Sequence, residues 1–122
     1  MNYKEFNQKL MKEGVGIIDI NSTYIDESVT IEKGTIVYPN TSIRGNSIIG
    51  KDNIIDMNTI IINSKIGDNN KIISSYIEDS VVGNNNNIGP FAHLRQNTVL
   101  NNNITIGNFV ELKNSEVKSN TK

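Results

Sequence analysis

The chain of 122 residues has no cysteine and no tryptophan, only two prolines and a single histidine. Without cysteine there are no disulfides, thiolate zinc sites or cysteine nucleophile, and the composition fits a reducing compartment. One histidine does not supply the ligand set of a zinc enzyme, so we expect no metal. Serine-nucleophile and glycine-rich phosphate-loop motifs are also missing. The sequence therefore lacks the local signatures of several large enzyme classes.

An excess of charge and long apolar runs are missing as well. The formal net charge is −1, so there is no basic face for nucleic acid and no polybasic arm for a membrane. No apolar run approaches the roughly 18 residues of a membrane span, and no signal-peptide core follows Met1. With 36% apolar and 20% charged residues, the composition is that of one globular domain. We expect a cytoplasmic protein that binds neither nucleic acid nor membrane.

Good helix formers are rare, and only the first residues show helical spacing. The apolar positions there, with the glycine expected just after the helix, are Tyr3, Phe6, Leu10, Met11 and Gly14. We predict a linker helix within residues 1–16 and a different architecture over residues 17–122.

Isoleucine and asparagine are abundant, and the isoleucines recur with a period of six residues. The aliphatic series has seventeen members, with four steps of five residues: Ile25, Ile31, Val37, Ile43, Ile49, Ile55, Ile61, Ile66, Ile72, Ile77, Val82, Ile88, Leu94, Leu100, Ile106, Leu112 and Val117. This pattern is typical of a hexapeptide-repeat parallel β-helix, in which each unit makes one short strand and one corner. Three units make one coil of about eighteen residues, so we predict an all-β fold of about five coils.

A β-sandwich is the alternative, but its strands would alternate every two residues, with turn signals every ~8–12 residues. The period of six does not set the hand of the coil, and crossovers between parallel strands are normally right-handed. Counting one coil at a time superposes Asn69, Asn85 and Asn103 at one corner, where asparagine tolerates left-handed backbone conformations. We therefore interpret the asparagine-rich stretches as corners rather than as low-complexity disorder.

Two similar segments, IGPFAHLRQN at 88–97 and IGNFVELKN at 106–114, lie one coil apart. At a strand spacing of about 4.8 Å this register stacks three pairs: Phe91 with Phe109, His93 with Glu111, and Arg95 with Lys113. Stacked cations repel each other, and an anion between Arg95 and Lys113 would relieve the repulsion. Phosphate suits such a site, since arginine offers a planar fork and lysine a point charge. The alternative is that both side chains point apart into solvent.

The hexad array and this pair of motifs resemble the left-handed β-helix of the bifunctional N-acetylglucosamine-1-phosphate uridyltransferase and glucosamine-1-phosphate N-acetyltransferase family, known as GlmU. GVGIIDINSTYI at 14–25 resembles that family's passage from its nucleotidyltransferase domain into the β-helix. The resemblance implies a homotrimeric, acetyl-CoA-dependent transferase of UDP-N-acetylglucosamine synthesis for cell-wall polymers. It also implies that Arg95 and Lys113 hold the phosphate of glucosamine-1-phosphate, and we expect Glu111 and Asn108 to lie nearby.

The chain departs from the family pattern in several places. His93 stands where the family usually has arginine, and Ile20 stands where proline follows the aspartate. No glycine-rich nucleotide loop is present, so neither the uridyltransferase half nor its magnesium site is expected. The chain ends just before the family's catalytic histidine would occur. We expect a fragment, truncated at its C-terminal end, that has no catalytic residue or acetyl-CoA site and does not acetylate the sugar at a measurable rate.

Two functions therefore remain open from the sequence. One is the N-terminal part of an acetyltransferase domain, and the other is a non-catalytic β-helix that serves as an assembly or scaffold module. His93 does not lie where the family's base lies, and a single histidine is more often structural. The metal-dependent carbonic anhydrases of this fold need three histidines.

Outward-facing aliphatic residues predict a trimer interface: Ile36, Ile48, Ile54, Ile60 and Ile73.

Overall fold

The computed structural model describes residues 1–122 as one helix followed by eighteen short strands. Helix α1 spans Tyr3–Lys12, as expected for residues 1–16. Asn2 caps the helix, because its side-chain oxygen accepts a hydrogen bond from the Glu5 amide at 2.8 Å. The helix has one apolar face, on which Phe6 and Leu10 are buried. That face decides where the helix docks.

The strands form three parallel sheets of six strands each, and each coil contributes one strand to each sheet. The first sheet contains β1 (Gly16–Ile17), β4 (Ile36–Val37), β7 (Ile54–Ile55), β10 (Lys71–Ile72), β13 (Asn87–Ile88) and β16 (Thr105–Ile106). The second sheet contains β2 (Tyr24–Ile25), β5 (Ser42–Arg44), β8 (Ile60–Ile62), β11 (Tyr76–Glu78), β14 (His93–Leu94) and β17 (Glu111–Leu112). The third sheet contains β3 (Thr30–Ile31), β6 (Ile48–Ile49), β9 (Lys65–Ile66), β12 (Val81–Val82), β15 (Val99–Leu100) and β18 (Glu116–Val117).

The three sheets wind into a left-handed parallel β-helix, which confirms the predicted fold class. With six strands in each sheet, the solenoid has about six turns rather than the five counted from the sequence. The seventeen positions of the series make five complete coils and two strands of a sixth, and β1, which precedes Ile25, adds the remaining strand. Gly16 occupies the outward position of that strand and Ile17 the inward one.

The seventeen aliphatic residues of the series each form the inward position of one strand, from β2 to β18. Fifteen of them are buried, while Leu112 and Val117 are partly buried and pack against the same core. Ile55 is a central example, in register with Val37 and Ile72 on the neighbouring coils and 0% exposed. Burying one such side chain contributes about 1.5–3 kcal/mol to the stability of the fold. The core is a continuous stack of these side chains, each of which contributes in the same way.

The corners place the backbone in the left-handed region, as predicted for the asparagines. Asn69, Asn85 and Asn103 have φ values of 58°, 60° and 58°. At the corners within the four five-residue steps the φ values are smaller, between 46° and 49°, and the residues there are Asn63, Ser74, Asp79 and Asn114. Asparagine and aspartate tolerate this conformation better than other side chains do. The asparagine-rich stretches are therefore ordered corners.

Buried asparagines also join successive coils inside the solenoid. Asn53, Asn70 and Asn86 lie one above another and are at most 1% exposed. Asn70 Nδ2 donates to the Gly83 carbonyl at 2.8 Å, while its Oδ1 accepts from the Asn86 amide at 2.9 Å. Each amide group thus meets the requirement that a buried polar group be hydrogen-bonded.

Helix α1 packs against β1 and β2 and covers the first coil. Asn7 is 0% exposed, and its Nδ2 donates to the carbonyl oxygens of Ile20 and Thr23 at 3.1 and 2.9 Å. Repeat proteins need such a cap because an end coil has no neighbour on one side. No helix here is both long enough and apolar enough to cross a membrane.

Candidate functional site

The second sheet brings residues of the candidate site together, on or directly after three adjacent strands, β11, β14 and β17. His93 pairs in register with Tyr76 on one side and Glu111 on the other. Arg95 and Lys113 directly follow β14 and β17, and the Arg95 amide donates to the Leu112 carbonyl at 2.7 Å. The two cations therefore stand at equivalent positions of successive coils, in the register that the sequence predicts.

The Arg95 guanidinium pairs with a carboxylate of the next coil. Arg95 Nη1 lies 3.4 Å from Glu111 Oε2, and the two side chains are 39% and 59% exposed. The Lys113 ammonium makes no ion pair or hydrogen bond and is exposed. Glu111 therefore offsets part of the repulsion between the two cations without a bound anion. An exposed ion pair of this kind contributes only about 0–1 kcal/mol, so a stronger anion can replace it.

His93 lies between two carboxylates from the neighbouring coils. Its Nε2 is 3.3 Å from Glu78 Oε1, and its Nδ1 is 3.8 Å from Glu111 Oε2. The Tyr76 ring is 4.9 Å from the imidazole, centroid to centroid, with a tilt of 54°. His93 is therefore a member of a polar cluster on the same face as Arg95.

The sequence did not predict Glu78 or Tyr76 as members of this site. The signal was present, because the series places Ile77 one coil before Leu94. Tyr76 and Glu78, the residues on either side of Ile77, then fall into register with His93 and Arg95. The coil between them is one residue shorter than eighteen, and this hides the relationship from a fixed count.

Two other predicted features flank the cluster. Phe91 and Phe109 stack as expected, with ring centroids 5.6 Å apart and planes 15° from parallel. They are 57% and 82% exposed and have φ values of 62° and 58°, an uncommon conformation for an aromatic residue. Asn108 is exposed in the same corner, directly before Phe109, and its side chain is hydrogen-bonded to neither Arg95 nor Lys113.

A cavity lies at the other end of the solenoid, under helix α1. It has a volume of about 530 Å³ and is lined in part by Tyr3, Phe6, Asp26 and Glu27. Asp26 Oδ1 accepts a hydrogen bond from the Tyr3 hydroxyl at 3.1 Å, and this bond raises the pKa of Tyr3. The two carboxylates would repel the phosphates of coenzyme A, so this cavity does not fit acetyl-CoA. No group of three or more histidine, cysteine, aspartate or glutamate side chains could hold a metal ion.

Residues 20–122 match the family model described as the GMPPB C-terminal domain. The bifunctional protein GlmU of Clostridioides difficile is 49% identical over 92 residues, and that of Thermosipho africanus is 50% identical over 95 residues. These alignments cover 75% and 78% of this chain. The chain spans about a fifth of the length of the curated relatives it matches, at 20% and 21%.

Solved structures with the same fold include acetyltransferases of low sequence identity. The acetyltransferase domain of PglB from Neisseria gonorrhoeae superposes with a TM-score of 0.82 at 14% identity, over 99% of this chain and 63% of that one. PerB from Caulobacter crescentus, in complex with CoA and GDP-perosamine, gives a TM-score of 0.76 at 17% identity, over 100% and 61%. At these identities the comparison shows the fold alone.

Proposed function

This chain belongs to the family of the GMPPB C-terminal domain, and on that premise we propose that it is the sugar-phosphate-binding part of a glucosamine-1-phosphate N-acetyltransferase domain. The longer protein would be a bifunctional GlmU that makes UDP-N-acetylglucosamine for cell-wall precursors. Its relatives do not favour the alternative of a non-catalytic scaffold. In this proposal helix α1 links the β-helix to a uridyltransferase domain.

The observation that carries the proposal is the position of Arg95 and Lys113 on successive coils of one open sheet face. A phosphate placed between them would accept charge-assisted hydrogen bonds from both, and arginine can offer two at once. Glu111 is the neighbouring group of opposite charge, and it would face the amino group of the sugar. Asn108 lies in the corner beside this face and adds a polar group at its edge.

Acetyl-CoA is the proposed acyl donor, in line with the CoA that PerB contains. We assign its site to parts of the enzyme outside this chain. The catalytic base is assigned there as well. The absence of cysteine fits the reducing cytoplasm that we propose for the protein.

A homotrimer is proposed as the assembled form. The predicted outward aliphatics occur on all three sheets: Ile36 and Ile54 pair on the first, Ile60 lies on the second and Ile48 on the third. In a threefold ring each subunit presents two different surfaces to its neighbours, so apolar residues on more than one face suit that symmetry. Ile48 and Ile54 are 48% and 37% exposed in the single chain. Sedimentation as a monomer up to millimolar concentration would contradict the trimer.

The anion site can be tested on the 122-residue chain by titration with glucosamine-1-phosphate while backbone amide shifts are followed. We expect saturable shifts at residues 94–96 and 112–114, with a Kd on the order of millimolar, or about −4 kcal/mol. Added salt should weaken binding through screening. Arg95→Ala and Lys113→Ala should each weaken it severalfold.

Lys118→Ala is the matched control, since Lys118 is an exposed lysine that follows β18 on the third sheet. It removes the same charge from the chain but not from the proposed site. Equal effects of Lys118→Ala and Lys113→Ala would show that only net charge matters. Shifts that persist unchanged in the Arg95→Ala, Lys113→Ala double variant would refute the site.

A further inference from the structure

One carboxylate oxygen in the cluster is shared between two basic side chains. Glu111 Oε2 lies 3.4 Å from Arg95 Nη1 and 3.8 Å from His93 Nδ1. While the imidazole is neutral, Arg95 is the only one of these two partners that carries a positive charge. Once the imidazole is protonated, both attract the same carboxylate.

A second carboxylate is placed to stabilise the protonated imidazole from the opposite side. Glu78 Oε1 is 3.3 Å from His93 Nε2, and the side chains are 29% and 38% exposed. Both ring nitrogens of a histidinium are donors, so the charged ring can serve Glu78 and Glu111 together. The cluster therefore has two arrangements that differ by one proton.

We propose that His93 is a positioning residue, whose protonation draws the Glu111 carboxylate away from Arg95 and so frees the guanidinium for a dianionic phosphate group. The inference rests on the proposed function of Arg95 and Lys113 as an anion site. It adds a dependence on pH, with tighter binding of a ligand that remains dianionic under mildly acidic conditions. Histidine is the side chain that ordinarily changes charge between pH 5 and 8.

The charges that face His93 from each neighbouring element give the sign of the effect. Strand β11 contributes Glu78 and the uncharged Tyr76, β17 contributes Glu111, and Arg95 and Lys113 follow β14 and β17. Two carboxylates and two cations balance while His93 is neutral, and protonation leaves one positive charge in excess. An extra unit charge at roughly 7 Å from a dianion, in a high dielectric and with screening, strengthens binding about three- to tenfold.

Sulfate is the suitable probe, because it stays a dianion between pH 5 and 8, whereas phosphate esters titrate in that range. The affinity of the 122-residue chain for sulfate would be measured at pH 5.5 and 7.5, at constant ionic strength, from the amide shifts of residues 94–96 and 112–114. We expect a Kd about three- to tenfold lower at pH 5.5. No other histidine is present to produce such a change.

Two variants separate positioning by His93 from a general effect of pH. His93→Gln should bind at both pH values with the weaker affinity that the unaltered chain shows at pH 7.5. His93→Arg, which keeps a positive charge at both pH values, should bind with the tighter affinity throughout. Equal affinities of the unaltered chain at the two pH values would overturn the inference, as would a pH dependence that survives in His93→Gln. Failure of the unaltered chain to bind sulfate at either pH would instead refute the anion site itself.

Discussion

Glu111 forms an ion pair with Arg95 of the preceding coil, with 3.4 Å between the glutamate Oε2 and the arginine Nη1. Lys113, two residues after Glu111, has no ionic partner. The carboxylate therefore lies with the cation of the preceding coil. Any anion that binds between Arg95 and Lys113 competes with an internal group of the same charge.

Removing that internal competitor should strengthen anion binding. In Glu111→Gln we expect the Kd for sulfate at pH 7.5 to fall about three- to tenfold, because one negative charge leaves the site. Glu116→Gln is the control, since Glu116 is an exposed glutamate of β18 on the third sheet and accepts a bond from Asn101. It changes the net charge equally and should alter the Kd less than twofold. Similar Kd values for the two variants would mean that Glu111 does not compete for Arg95.

The two isoleucines of strand β7 should differ sharply in what they contribute to stability. Ile55 is 0% exposed, whereas its neighbour Ile54 is 37% exposed on the outer face. We expect Ile55→Ala to lower the free energy of unfolding by about 2–5 kcal/mol, because it leaves a cavity between coils. Ile54→Ala should cost about 1 kcal/mol or less in the monomer. Urea unfolding followed by circular dichroism measures both, and comparable losses would contradict the described core.

Corner residues should be sensitive to side-chain type even where they are exposed. Asn85 has φ 60°, and its amide donates to the Asp68 carbonyl at 3.0 Å. We expect Asn85→Ala to destabilise the fold by about 1 kcal/mol, since alanine tolerates the left-handed region poorly, and Asn85→Gly to be nearly neutral. Asn87→Ala, at an exposed strand position two residues away, should change stability by about 0.5 kcal/mol or less. If Asn85→Ala were no more destabilising than Asn85→Gly, the corner conformation would carry no cost for alanine.

Asp19 should titrate below the usual range of aspartate. Its Oδ1 accepts from the Asn21 amide at 2.9 Å, its Oδ2 accepts from the Ser22 hydroxyl at 2.9 Å, and these bonds lower the pKa of the carboxyl from 3.8. Because the folded pKa is the lower one, this stabilisation is present above about pH 4 and is lost as the pH falls through the folded pKa.

An NMR titration of the Asp19 carboxyl carbon would measure its pKa directly. Ser22→Ala should move the midpoint back towards 3.8, since one donor is lost. Ser28→Ala removes a hydroxyl that bonds the Gly45 carbonyl instead, and should leave the midpoint unchanged. A midpoint at or above 3.8 in the unaltered chain would contradict these contacts.

The backbone could be predicted from the sequence to an unusual extent. Every coil must bury one aliphatic residue per sheet, so the period of six fixes the inward positions, and the residue count between them fixes which coils are neighbours. The stacking of Phe91 on Phe109 and of Glu111 on His93 follows from that count alone. Strand β1, the sixth strand of the first sheet, was not predicted because it lies outside the regular series.

The partner of each exposed charge was decided only by the tertiary structure. Sequence register placed Arg95 over Lys113, but it did not indicate that Glu111 pairs with Arg95 or that Glu78 reaches His93. The environment of an inward aliphatic residue is fixed, because its side chain is buried and can pack only in the core. Long polar side chains on an open face have several rotamers of similar energy, and neighbours from three different coils together select among them.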